Sequence, residues 1–457
     1  MLREKERRKW TLALQEDRSI APLAVLRITF GALLFWATLR SIAKGWVYDF
    51  YVAPSFYFPF YGFEWVKPLG ERGMYLLFGT MALSSLCIML GLFYRWASWL
   101  FFLSFTYVEL IDKTYYLNHY YFVSVISFLL IWVPAHRHFS LDVVRNPSLR
   151  KTTVPAWTIL IFQAQLVWVY FLAGIAKLNP DWLWEAMPLR IWLRANSHLP
   201  LVGPLLAQPW VAYIFSWFAA AYDLCIGYFL LKNKTRNVAY FVVVVFHVCT
   251  ACLFHIGLFP YLMICCALVF FPTAFHLHVL TGIRGLFVHC SDPTKEVQTS
   301  FSYNMMSQKF LNGLLFVFFV FQIFLPFRYL LYPGSLFWTE EGFRFSWRVM
   351  LMEKTGTAFF YVEDPQTGRK SEVDNSRFLT PLQEKMMATQ PDMLLQYAHY
   401  LDATYRKYGI QDPIVTVESY VTLNGSGNRL LVDPTVDLSK ETENFSHKTW
   451  ILPFDRP

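Results

Sequence analysis

Long apolar runs recur through the first three-quarters of the chain and stop near residue 330. A bilayer-crossing helix needs about 20 mostly apolar residues, fewer where neighbouring helices shield it. Nine segments meet that requirement: 21–40, 74–94, 96–112, 118–134, 155–177, 210–231, 238–254, 256–274 and 309–327. Between the first two lies an aromatic stretch, 45–65, which Pro54 and Pro59 interrupt too often for a span. It is expected to lie along the membrane interface. Beyond about residue 335 the pattern changes. Residues 357–363 and 369–373 read as a hairpin through Asp364-Pro365-Gln366-Thr367-Gly368. Helical periodicity follows over 379–408, broken at Pro391. A second hairpin runs from 414–423 to 430–432 through Asn424-Gly425-Ser426-Gly427-Asn428. The expected fold is an α-helical integral membrane bundle of about nine transmembrane helices over 1–330, followed by a small α+β extracytoplasmic domain over 331–457. No internal repeat or low-complexity tract interrupts this plan.

Composition agrees. Of 457 residues, 55% are hydrophobic and only 16% charged, against about 25% charged in soluble domains. Aromatic residues make up 19%, as interfacial belts require. The net charge of +8 does not point to nucleic acid, because its placement reads as a topology signal. Arg3, Lys5, Arg7, Arg8 and Lys9 put the N-terminus in the cytoplasm, and later clusters (Arg145, Arg150, Lys151; Lys232, Lys234, Arg236) fall in loops on the same side. Nine spans then carry the C-terminus outside. The charged start lacks a small-residue cleavage site, so the first span is expected to stay as an uncleaved anchor. Seven cysteines are present and none follows Cys290, so no disulfide framework is expected. Cys249-Thr250-Ala251-Cys252 matches CxxC, but its mid-span position favours small buried residues over redox work.

The densest chemistry lies at the outer end of the third span, Glu109-Leu110-Ile111-Asp112-Lys113-Thr114-Tyr115-Tyr116-Leu117-Asn118-His119. Ionisable groups at membrane depth are costly and mark function. A desolvated lysine there has its ammonium form disfavoured, which moves it toward use as a base. A structural reading stays open beside this one. Glu109 and Lys113 are i,i+4 neighbours able to form an ion pair, and Lys113 could snorkel to water.

Asp112-Lys113-Thr114 followed by Asn118-His119 resembles the Asp-Lys-Thr and Asn-His element of the vitamin K-dependent gamma-glutamyl carboxylases. Further matches follow in order. Lys177-Leu178-Asn179-Pro180-Asp181-Trp182 is similar to that family's Lys-Leu-Asp-Ala-Asp-Trp, and Phe246-His247 with Leu253–Met263 is similar to a Phe-His and Leu-Phe-Ser-Ile-Gly segment. Trp338-Thr339 with Ser346-Trp347, and Asp433-Pro434 with Val436-Asp437, match later elements. The resemblance runs from about residue 20 to 450 and implies a short member with an HTTM-type membrane domain. It implies co-substrates (vitamin K hydroquinone, O₂ and CO₂), no metal, and a glutamate-bearing exported polypeptide as partner. In the implied chemistry Lys113 deprotonates the hydroquinone. Reaction with O₂ then gives a strong base, which ends as the 2,3-epoxide after taking a glutamate γ-proton, and the carbanion captures CO₂. An apolar site protects both base and carbanion from water.

By the same resemblance, Asn118 and His119 orient the quinone or the lysine, and His247 contacts substrate unless it merely bonds a neighbouring helix carbonyl. Ser346 and Trp347 fall where the glutamate is held; Phe343 stands where the family has tyrosine. His255 replaces a family serine and is expected to be structural, and Lys177, Asp181 and Trp182 are expected to anchor the fifth span at the interface. Tyr329 and Met352 replace family histidines. Animal members join a cysteine at the position of Tyr400 to one in the first outer loop; neither cysteine occurs here. They also continue beyond the position of Pro457, so recognition of a clotting-type propeptide is not expected. The missing disulfide and small size favour a bacterial inner membrane over the endoplasmic reticulum. The competing readings are a quinone oxygenase with another acceptor, a non-catalytic transporter or scaffold, and thiol–quinone exchange at Cys249 and Cys252. Oligomeric state is open.

Overall fold

The computed structural model describes residues 12–254, 256–287 and 299–454. His255 and Cys290, like the basic residues before Leu12, lie outside them. The membrane part is mostly helical: α1 (Ala21–Ala43), α2 (Gly70–Leu90), α3 (Tyr94–Ile111), α4 (Asn118–Trp132), α5 (Trp157–Ala176), α6 (Pro209–Leu231), α7 (Arg236–Leu253), α8 (Phe259–Ala267), α9 (Thr273–Phe287) and α10 (Met305–Phe324). Helix α1 packs along α2, and α5 along α6. Glycines permit both close approaches. A Cβ at Gly31 would meet the Met89 backbone nitrogen at 2.5 Å, and one at Gly174 the Leu224 nitrogen at 2.7 Å. Arg27 is fully buried within α1, yet its guanidinium donates to the carbonyls of Ile88, Met89, Ala135 and Phe139. Two of those lie in the last turn of α2, where Ile88 keeps only the N–H of the cap residue Gly91.

The expectation of nine spans is not met. Among the described residues six helices are long and apolar enough to cross a membrane, and a bent pair raises the number to seven. Helix α3 carries Arg95 and Glu109, and α4 has only 15 residues. The predicted span at 256–274 is instead broken. Helix α8 continues as a short turn to Phe270, and the chain then bends by 118° into α9. Pro272 explains the break: the residue before it, Phe271, is extended with ψ 156°, as a following proline demands. The chain is a multi-pass membrane protein.

After α10 the chain forms an α+β region with its own core. It contains β1 (Lys354–Glu363), β2 (Lys370–Glu372), α11 (Pro381–Met387), α12 (Pro391–Lys407), β3 (Ile414–Leu423) and β4 (Arg429–Leu430). The sheet order is β2-β1-β3-β4. Both expected hairpins are present, with Tyr361 opposite Glu372 and Val421 opposite Arg429. The long antiparallel pairing of β1 with β3, from Lys354–Leu423 to Glu363–Ile414, joins them. Inward residues at every second position, such as Phe360, Val362, Val415 and Val417, meet Met387, Leu394, Tyr397 and Leu401 from the helices.

The aromatic stretch at 45–65 does not simply lie along an interface. Trp46–Tyr51 is a short helix, and the proline-stiffened segment after it is inserted between bundle and sheet. Phe58 is buried in the sheet's core. The carbonyls of Phe56, Phe58 and Pro59 accept from the Gln383 side chain, the Lys113 backbone and the Gln396 side chain. The Phe56 ring packs on Tyr400 at 4.5 Å. The described cysteines are all free thiols. Cys249 and Cys252 are exposed on α7, contrary to the expectation that they are buried.

Candidate functional site

Helix α3 stops at Ile111 because Asp112 takes an extended conformation (φ −147°, ψ 113°) and turns its carboxylate onto the Thr114 N–H at 2.8 Å. This Asx-type cap closes a single tight turn, Lys113–Tyr115. The turn sends two adjacent side chains in different directions. Asp112 reaches Gln383 of α11 (2.9 Å), while Lys113 points its amine at Asp392 in the first turn of α12 (2.7 Å). Lys113 is only 2% exposed.

The Glu109–Lys113 pair that their spacing allowed is therefore not formed. Glu109 instead accepts from Ser124 of α4 at 2.8 Å. Asp392 is shared: Arg344 donates to Oδ2 at 2.7 Å and to Oδ1 at 3.3 Å, and also bonds Gln390. Glu443 approaches the Lys113 amine to 3.9 Å and is itself held by Gln396 at 2.7 and 2.9 Å. Two cations thus compete for one carboxylate in a buried place. Burial pushes Lys113 below its ordinary value, Asp392 opposes that, and Arg344 adds to it. Although burial alone would raise Asp392, the charges of Arg344 and Lys113 hold it well below the usual carboxylate range. Among the described residues no cation pairs with Asp112. Burial pushes it up to about 6, against bonds from Thr114 and Gln383.

Beside this turn lies a cavity of about 690 Å³ whose wall includes Glu109, Asp112, Asn118, His119, Leu382 and Met386. Lys113 is not in that wall, because its side chain leaves on the opposite side of the turn. A second cavity of about 360 Å³ is lined by Tyr170, Lys177, Asp223 and His247 among apolar residues of α5, α6 and α7. Both cavities share Ile256, Phe259, Val349 and Met350. The Phe259 ring stands between two histidines, 5.9 Å from His119 and 6.0 Å from His247.

The proposed site residues divide accordingly. Lys113, Asn118 and His119 share one connection, and the Asn118 amide donates to the Arg348 carbonyl at 3.0 Å, tying it to the segment after Trp347. His247 bonds the Tyr170 hydroxyl at 3.0 Å, a side chain where a helix carbonyl was the alternative. Ser346 is buried with its hydroxyl on the Phe343 carbonyl, and Trp347 stacks on Tyr121 at 4.8 Å. Phe343 packs near Phe337 at 6.3 Å. None of Phe343, Ser346 and Trp347 lines either cavity.

Lys177 is no interface anchor. It is buried and paired with Asp223 of α6 at 2.7 Å. Asp181 accepts from Asn424 of the α+β region at 2.8 Å, and Trp182 donates to the Ser216 carbonyl. Sequence reasoning missed Asp223, Arg344, Gln383, Asp392 and Glu443. Arg344 alone offered a signal, as a cation inside the aromatic tract Phe343-Arg344-Phe345.

The HTTM domain family matches residues 16–275. The lumenal domain of vitamin K-dependent gamma-carboxylase matches residues 307–457. No solved structure matches the chain.

Proposed function

Since the chain belongs to the vitamin K-dependent gamma-carboxylase family, we propose that it couples oxygenation of vitamin K hydroquinone to carboxylation of glutamate in an exported polypeptide. Hydroquinone, O₂, CO₂ and a glutamate side chain become the 2,3-epoxide, water and γ-carboxyglutamate. The hydroquinone and O₂ supply the oxidation and the strong base; the chain supplies binding, a first proton acceptor and exclusion of water.

The observation that carries this reading is the shared carboxylate. Lys113 competes with Arg344 for Asp392 in a buried cluster, so burial and the neighbouring guanidinium make its ammonium easier to deprotonate than an ordinary lysine's. When the amine turns from Asp392 toward the hydroquinone, Arg344 keeps that carboxylate paired. The movement thus strands no buried anion. Asn118 and His119 offer polar groups in the wall of the larger cavity, and His247 does so in the smaller one. Phe259 is the ring common to both. The greasy cavity walls suit a quinone that arrives through the bilayer. We place the N-terminus in the cytoplasm and the α+β region outside, in a bacterial inner membrane.

Purified protein in detergent, given vitamin K hydroquinone, O₂, ¹⁴CO₂ and a short glutamate peptide, tests the reading. Epoxide and fixed label together are the expected result, and both should vanish in Lys113→Ala. Epoxide without label would instead support a quinone oxygenase with another acceptor. One observation favours that second reading: Phe343 lacks the family hydroxyl, and the Ser346 hydroxyl is spent on a backbone carbonyl.

A further inference from the structure

Helix α11 has two working faces. Leu382 and Met386 line the 690 Å³ cavity, while Pro381, Glu384 and Lys385 line a groove of about 700 Å³ on the other side. One seven-residue helix is therefore the partition between the cavity and a surface groove. The far wall of the groove is strand β1, through Gly356, Thr357, Ala358 and Phe359.

This edge of β1 is largely open. Strand β3 covers the other edge from Lys354 to Glu363, but β2 covers only Tyr361 to Glu363. The ladder fixes which backbone groups face outward. Asn424 N–H donates to the Glu353 carbonyl at 2.8 Å, so odd-numbered residues bond β3 and even-numbered residues turn away from it. Val373 N–H accordingly takes the Phe360 carbonyl at 2.8 Å, and the Asn375 side chain takes that of Ala358 at 3.0 Å. Gly356 N–H, Gly356 C=O and Ala358 N–H remain directed at the groove with no strand beside them.

A second observation concerns the side chain that caps part of this edge. Asn375, in the groove wall, is 6% exposed, and its Oδ1 has no hydrogen-bond partner. Its amide nitrogen is used by Ala358 and Glu384 (3.3 Å), so the buried Oδ1 is left as an unpaired acceptor beneath the groove wall. Charge adds a preference. Glu372, Asp374 and Glu384 line the groove with one ammonium, Lys385; Arg377 pairs with Asp374 at 3.4 Å, which leaves Glu372 and Glu384 to meet a cationic occupant.

We infer that this groove docks an extended, lysine- or arginine-bearing segment of the exported polypeptide, added as a strand to the open edge of β1. The identity of the occupant rests on the carboxylase reading; the groove's chemistry does not. Strand addition supplies main-chain affinity without demanding a fixed sequence, and the carboxylates select basic side chains. Docking across a single helix from the cavity raises the local concentration of glutamates further along the same segment.

The test uses a fluorescein-labelled peptide of alternating lysine and valine and the full chain in detergent, read by fluorescence anisotropy with no hydroquinone present. Two variants carry it: Glu372→Lys with Glu384→Gln, and Ala358→Pro, which removes an outward N–H where an edge strand tolerates proline. Detergent melting of each, matched to the parent, controls for folding. Saturable binding, weakened at least tenfold in both variants and by added salt, is the expected result. Binding that is absent, or equal in parent and variants, overturns the inference. Cross-linked dimers that disappear in Ala358→Pro would overturn it too, assigning the edge to a second copy of the chain. Because no hydroquinone is needed, a chain that binds the peptide yet forms neither epoxide nor γ-carboxyglutamate would sink the carboxylase reading and leave the groove standing.

Discussion

Two lysines of this chain meet a carboxylate at the same distance in buried surroundings, and their neighbourhoods give them different work. Lys177 and Asp223 lie 2.7 Å apart between α5 and α6, and each is the other's ion-pair partner. Lys113 and Asp392 also lie 2.7 Å apart, but Arg344 holds the same carboxylate oxygen at 2.7 Å. In the first pair, losing either charge strands the other in a medium that penalises it. In the second, Arg344 remains charged at any accessible pH and keeps Asp392 satisfied whether or not Lys113 is protonated. An isolated buried pair is a lock; a pair with a spare cation can release its lysine. On the proposed reading, the spare cation is what marks Lys113 for chemistry and leaves Lys177 a structural role, where distance alone does not.

The largest expected effect tests that separation. Lys113→Ala should lower epoxide formation on the order of 10²- to 10⁴-fold, the usual worth of a positioned base, in protein that still folds. Lys177→Met should act on stability, costing roughly 3–5 kcal/mol by leaving Asp223 unpaired. A Lys177→Met, Asp223→Leu double variant should recover most of it. Melting in detergent together with turnover per folded molecule separates the two outcomes. Equal loss of turnover in folded Lys177→Met protein would break the comparison.

Only half of this contrast was legible in the sequence. The local elements were: the Asp112-Lys113-Thr114 turn, Asn118-His119 behind it, both hairpins and the break at Pro391 all depend on neighbours within about ten residues. The partners of the lysines were not. Asp392 lies 279 positions from Lys113, in a helix start where an acidic residue is ordinary. Asp223 looks like one polar residue in an apolar run until α6 meets α5. The count of spans failed for a related reason. Hydropathy registers Phe259–Gly285 as apolar, but the 118° bend at Pro272 belongs to backbone geometry. The first outer stretch reads as interfacial because its role, offering carbonyls to Gln383, Gln396 and Lys113, depends on partners distant in the chain, the two glutamines more than 300 positions away.

A buried acid with no cation paired to it among the described residues sharpens the contrast from the other side. Asp112 is raised from 3.8 to about 6 by burial. Its folded value lies above its unfolded one, so its contribution is complete below pH 3.8 and is lost as pH rises to about 6. At 1.36 kcal/mol per unit this is roughly 3 kcal/mol. Melting of the parent should fall across that window relative to Asp112→Asn, which has nothing to titrate there. Parallel curves would mean that Asp112 is solvated or paired in solution.

Arg344→Gln addresses the shared carboxylate directly and should have a smaller effect. With the competing cation gone, Asp392 serves Lys113 alone and its ammonium is stabilised. The acid limb of the pH profile for epoxide formation should move to higher pH, and the rate at neutral pH should fall several-fold while the alkaline plateau holds. A limb that stays in place would show that Arg344 does not set the protonation of Lys113.

Phe343→Tyr should do least. The ring packs near Phe337 and lines neither cavity, and the backbone carbonyl of this residue already takes the Ser346 hydroxyl. A hydroxyl added there has no buried partner waiting, so label fixed per epoxide should stay within about twofold of the parent. A tenfold rise in that ratio would mean that the glutamate passes Phe343 during turnover. The Ser346–Trp347 segment would then belong to the acceptor side of the site, and the two lysines would no longer be the sharpest division in the molecule. The division between proton removal at Lys113 and glutamate capture around Phe343 would replace it.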